Sequence, residues 1–136
     1  MATYTKIHSF VENLAEGIIN LGGAGLTVAL TNTAHTSTWD ELADLTQVSY
    51  SNLSSRVLTV GSSAQASGTY KLVINDLTLT STGGTTGPFR YIYIYDDASI
   101  EDKLIAYYDY GSAFTLNDAD SLILNFDGSG GVLTIT

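Results

Sequence analysis

The stretch "PFRYIYIYDD", Pro88 to Asp97, decides how this chain folds. Residues two apart on a strand share a face, so Phe89, Tyr91, Tyr93 and Tyr95 form one aromatic row. Arg90, Ile92 and Ile94 take the other face. A strand that is apolar on both faces is central and covered on both. The row is therefore read as a central or interface strand, lying under the helix, a second sheet or a neighbouring subunit. The alternative is a sugar-binding platform, since exposed tyrosine rings stack on sugars while their hydroxyls stay wet. Pro88 has no N–H for a ladder and belongs at the strand's first position or at an edge. Asp96 and Asp97 open the following turn.

Upstream, "TYKLVINDLTLT" is the longest strand candidate, and its alternation slips at Asn75 and Asp76, which marks a bulge or bend. "STGGTTG" joins it to the tyrosine strand as a loop, and "GSSAQASG" before it reads as turn or loop by composition. "LTVALTN", "QVSY" and "RVLTV" read as short strands. The excursion "AHTSTWDELADL" carries the Thr38 and Glu41 spacing of a capping box, which predicts one helical turn over Trp39 to Ala43. Downstream, "KLIAYYDY", "AFTL", "SLILNF" and "VLTIT" alternate with the turns "NDAD" and "DGSGG".

Only the first segment has helical period. Ile7, Phe10, Val11, Leu14, Ile18 and Leu21 fall on one stripe, Thr5 or Ser9 is placed to cap the start, and Gly22–Gly23 to stop the end. Glu12, Asn13 and Glu16 fall mainly on the polar side. The expectation is a mainly β chain: an amphipathic α-helix over about residues 4–21, then an antiparallel β-sandwich, jelly-roll-like or Greek-key, over about 25–136, as a single domain. Eight to ten short strands and one terminal helix exclude alternating βαβ units.

Composition narrows function. The formal net charge is −9, from 14 acidic and 5 basic residues, and such a surface repels phosphate backbones and anionic lipids. Nucleic acid and membrane are accordingly not expected partners. No apolar run reaches the length of a membrane span or a signal-peptide core. The chain has no cysteine, which removes disulfides, thiolate metal sites and a cysteine nucleophile.

Catalytic signals are weak. The only imidazoles are His8, beside the helical stripe, and His35, in the loop after the first long strand, and no G-x-S-x-G elbow presents a serine. "LGGAGLT" follows a helix and precedes a strand, the reverse of a phosphate-cradling loop. Asp96–Asp97, Glu101–Asp102 and Asp118–Asp120, with Asp127, fit ordinary turn chemistry better than a calcium site, because no D-x-D-x-D-G spacing occurs. No catalytic residue, cofactor or metal is expected.

Four stretches carry a resemblance: "YTKIHSFVENLAEGIINLG" running into "LTVALTNTA", "LADLTQVSYSNLSSRVLT", "SGTYKLVINDLTLTSTGGTTGPFRYIYIYDD" and "LIAYYDYGSAFTLNDADSLILNF". In this order they resemble a family of small virion structural proteins of tailed bacteriophages. The family pattern commonly continues with a proline after "VALTNTA", where this chain has His35–Thr36. The resemblance implies a non-enzymatic capsid decoration (cement) protein. It would bind the major capsid protein on the exterior of the virion, as a trimer and without a cofactor. Candidate contact residues are Phe10, Leu14, Trp39, Tyr91, Tyr93 and Tyr95. The alternative is a receptor- or carbohydrate-binding module of a tail or head fibre, resting on the tyrosine row and the polar loops "TNTAHTSTW" and "STGGTTG".

Overall fold

The computed structural model describes residues 2–23 and 25–136. Among them the chain forms nine strands and one short α-helix: β1 (Thr3–Lys6), α1 (Phe10–Ala15), β2 (Leu26–Thr31), β3 (Val60–Ala66), β4 (Thr69–Ile74), β5 (Leu77–Thr80), β6 (Thr86–Asp96), β7 (Leu104–Leu116), β8 (Ser121–Leu124) and β9 (Leu133–Ile135). All ladders are antiparallel. The largest sheet runs β1-β7-β6-β2, a second runs β3-β4-β9, and β5-β8 form a pair. The mainly β, antiparallel expectation holds.

The pairing from β4 onward is nested. β6 pairs with β7, β5 with β8, and β4 with β9, so residues 69–135 form one long two-stranded ribbon closed at the β6–β7 turn. Nested pairing of this kind is what a jelly roll winds up. The ribbon bends where the alternation slips: Asn75 and Asp76 separate β4 from β5, and the Asp76 carboxylate accepts the Phe126 N–H of the opposite arm at 2.9 Å. That slip was legible because two consecutive polar residues cannot continue a half-buried strand without exposing the next apolar one.

The tyrosine strand lies where its two apolar faces require. β6 is central, between β7 and β2. Ile92, Ile94 and Val28 of its one face approach Leu124 and Phe126 of the β8 arm across an apolar cleft of about 300 Å³. Pro88 sits in the irregular end of β6, beyond the residues that pair with β2. The aromatic row is interrupted there, because β7 has extra residues around Gly111 between its partners for Tyr91 (Asp109) and Phe89 (Phe114). Phe89 packs on Phe114 at 4.5 Å instead of continuing the tyrosines.

The N-terminal segment departs most from expectation. The helix covers Phe10–Ala15, not residues 4–21, and Thr3–Lys6 is a strand on the edge of β7. The helix stops at Gly17, with φ of +76°, where the Ile18 N–H reaches the Asn13 carbonyl and the Gly17 N–H reaches Leu14. This is a Schellman stop, five residues before the glycine pair expected to supply it. Ser9 precedes the helix but makes no side-chain cap, and Asn13, expected on the polar side, is 7% exposed. Ile7 and Leu21 are buried without being helical. Of the expected stripe, Ile7, Phe10 and Leu21 record burial, whereas Val11, in the helix, is exposed.

Two other readings shift. "GSSAQASG" is not a loop but most of β3 and its turn, Ser67 and Gly68 both taking positive φ as a type I′ turn requires. "QVSY" and "RVLTV", up to Val60 where β3 begins, make only isolated bridges. They run along the free edge of β2, with the Val48 N–H on Leu30, the Leu58 N–H on Leu26 and the Arg56 guanidinium on the Val28 carbonyl. The helical turn expected over Trp39–Ala43 is a 3₁₀ turn at Leu42–Asp44, closed by a capping box between Glu41 and Asp44. No helix among the described residues is long and apolar enough to cross a membrane.

Gly25, at the entry to β2, is required by close approach. A Cβ there would lie 2.7 Å from the Ala98 Cβ and 2.7 Å from the Asp96 carboxylate. Asp96 is 2% exposed and accepts the N–H groups of Asn20 and Ala98, so it cannot yield cheaply. Gly25→Ala is expected to destabilise the fold by about 1–3 kcal/mol. A lowered urea midpoint is the check, and an unchanged one would mean that the Asp96–Ala98 turn gives way freely.

Candidate functional site

The tyrosine face is closed by the loop between β2 and the 3₁₀ turn. From it, His35 stacks on Tyr107 with ring centroids 4.6 Å apart and meets Trp39 edge-on at 5.6 Å. Tyr93 stacks on Tyr107 at 5.1 Å, and the His35 Nδ1 lies 2.9 Å from the Tyr93 hydroxyl. Burial pushes the Tyr93 phenol up, helped by Tyr107 and Tyr91, and burial lowers the His35 imidazole, helped by repulsion from His8. The two groups share one hydrogen bond, in which the tautomer of the imidazole sets the donor. Tyr93 is fully buried, while His35, Trp39 and Tyr107 are half-buried and form the outer rim of the cluster.

A polar tie fixes the other end of the loop. The Asp40 carboxylate accepts from Ser9 Oγ, Asn13 Nδ2 and Lys103 Nζ, joining α1, the loop and the start of β7. Lys103 also reaches Glu101 at 2.8 Å. Desolvation acts to raise the Asp40 carboxyl, but the hydrogen bonds from Lys103, Ser9 and Asn13 outweigh it and hold it below the ordinary value. The bonds that Lys103 donates to Asp40 and Glu101 raise its ammonium, against its burial.

Acid should loosen the loop from both ends. Both folded pKa values lie below the unfolded ones, so each group's contribution is complete above the unfolded value and is lost as pH falls through the folded one. For His35 the loss begins below 6.5, and for Asp40 below 3.8. Urea midpoints measured against pH should fall in both windows. In His35→Phe the upper fall should be absent.

The expected contact residues separate into two groups. Phe10 is 3% exposed, Tyr91 7%, Tyr93 0% and Tyr95 3%, so these four belong to the core and present no surface to a partner. For Tyr93 the physical reason is the loop, whose His35 and Trp39 rings lie against it from within the chain. Leu14 and Trp39 remain half-buried. Leu14 borders an open hollow of about 520 Å³ between the end of α1 and the β3-β4-β9 sheet, with Tyr70 and Ile135 opposite. Trp39 stands in the aromatic rim.

The carboxylates of the turns serve the turns. Asp127 accepts the N–H groups of Ser129 and Gly130, Asp120 that of Asn117, and Asp118 that of Gly83. Among the described residues, no three histidine or acidic side chains converge on a common point. Sequence reasoning passed over Asp40, Lys103 and Asn13 as a set. The available signal was a lone asparagine between Phe10 and Leu14 on a short apolar helix, which needs a partner if buried.

No family model, curated protein or solved structure matches the chain.

Proposed function

We propose that the protein is a non-enzymatic virion protein that decorates the exterior of a tailed-phage capsid by binding the major capsid protein. The observation that carries this reading is the resemblance over four ordered stretches, which fall on the elements that build the core. The first supplies β1, α1 and β2, the second the chain that covers the β2 edge, the third β4 to β6, and the fourth β7 and β8. The arrangement of reactive side chains agrees with a structural role. His35 is tied to Tyr93, Asp40 to Lys103, and the turn aspartates to backbone N–H groups. Many weak contacts repeated on a lattice sum by avidity, so no single strongly chemical site is needed. The test is addition of purified protein to undecorated shells. Saturable binding and a raised shell-disruption temperature are expected, and shells that neither bind the protein nor gain heat resistance would overturn the proposal.

The half-buried rim of His35, Trp39 and Tyr107, beside the polar loop residues 32–38, favours a second reading as a carbohydrate-binding module of a fibre. It predicts binding on a glycan array that Trp39→Ala removes while the fold persists.

A further inference from the structure

Among the described residues, the chain covers the sheet edges at β2 and β5 and leaves its longest edge strand, β3, bare. The free edge of β2 is covered by residues 46–58, and that of β5 by Asn52 and Ser54, which bond Thr78, Thr80 and Thr82. β3 is an edge strand of the three-stranded sheet, and residues 61–66 within it are exposed on both faces. From Val60 to Tyr70 there is no charged residue, in a chain of net charge −9. Exposed edges are ordinarily blunted by charge, proline or covering chain, because their open N–H and C=O groups recruit another strand. Only a register shift at the base, between Val60 and Ser62, blunts this one.

The register says what fits. The two-residue turn makes Ala66 and Thr69 a hydrogen-bonded pair, so by alternation Ala64 and Ser62 bond inward to β4. Ser63 and Gln65 then direct their backbone groups outward. An antiparallel copy of the same strand meets these groups when the twofold axis passes through Ala64. Ser63 then exchanges both backbone bonds with Gln65 of the second copy, and Gln65 with its Ser63. Ala64 faces Ala64, the close non-hydrogen-bonded pair, where two methyl groups meet without a clash. No charge meets a like charge. We propose that β3 pairs with β3 of a second copy about a twofold axis at Ala64, joining two three-stranded sheets into one of six. The contact is independent of the capsid reading, and it makes the free protein a dimer in place of the trimer that the resemblance implies.

Two measurements on the full chain test this. Sedimentation should give about twice 14.5 kDa, and Ser63→Pro, which removes an outward N–H and none bonded to β4, should give the single-chain mass with an unchanged circular dichroism spectrum. The chain has no cysteine, so one can be placed at will. Facing residues of a close pair lie about 4.5 Å apart at Cα, within disulfide range, whereas Ala66 and its own counterpart are four positions out of register. Under mild oxidation Ala64→Cys should cross-link faster than Ala66→Cys by on the order of 100-fold, the advantage of a local over a bulk thiol. A monomeric or trimeric wild type, a Ser63→Pro dimer, or equal cross-linking rates would each overturn the proposal.

Discussion

Tyr93→Ala is expected to lower the stability of the fold by about 3–5 kcal/mol, the range for truncating a fully buried aromatic ring. Tyr93 is 0% exposed, in the central strand of the largest sheet, with His35, Trp39 and Tyr107 against its ring. Removing it opens a cavity that this strand cannot close, because β2 and β7 pin its backbone on both sides. The rim loses its floor at the same time. Tyr93→Phe keeps the ring and loses only the bond to His35, so about 1 kcal/mol is expected. Urea denaturation followed by circular dichroism separates the two variants. A platform tyrosine would give the opposite pattern, with ligand binding lost and the urea midpoint kept.

Asp40→Ala is the second large effect, expected at about 2–4 kcal/mol, below the range for a fully buried pair because a third of the Asp40 side chain meets solvent. The loss is asymmetric. Lys103, with only 11% of its side chain exposed, keeps Glu101, but Asn13 and Ser9 lose the acceptor that they share. A cycle with Lys103→Met shows how much of the loss belongs to the ion pair. If the double variant is no less stable than Asp40→Ala alone, the carboxylate acts through Lys103. If the losses simply add, the Ser9 and Asn13 bonds carry the effect. A stability unchanged in Asp40→Ala would remove the polar tie from the account of the loop.

How far the fold was legible follows from which signals were local. The two-faced apolarity of residues 91–95 placed β6 at the centre of its sheet, and Asn75–Asp76 placed the ribbon's bend. Neither depends on a distant partner. The helix length did depend on one: Thr3–Lys6 became a strand because β7 offers an edge, and Ile7 and Leu21 fill the core from irregular chain. β3 was missed for the same reason. Its small residues have little strand propensity of their own and are extended by the turn and by pairing with β4. The candidate site divides along the same line. Alternation put Tyr91, Tyr93 and Tyr95 on one face, but did not show that the row breaks before Phe89 or that a loop some 55 residues earlier supplies the rings against Tyr93.

The most direct test of the proposed function is the copy number and position of this protein on purified particles, read from a reconstruction. Copies on the outer shell in a fixed ratio to the major capsid protein are the predicted result. A handful of copies confined to the tail would contradict it.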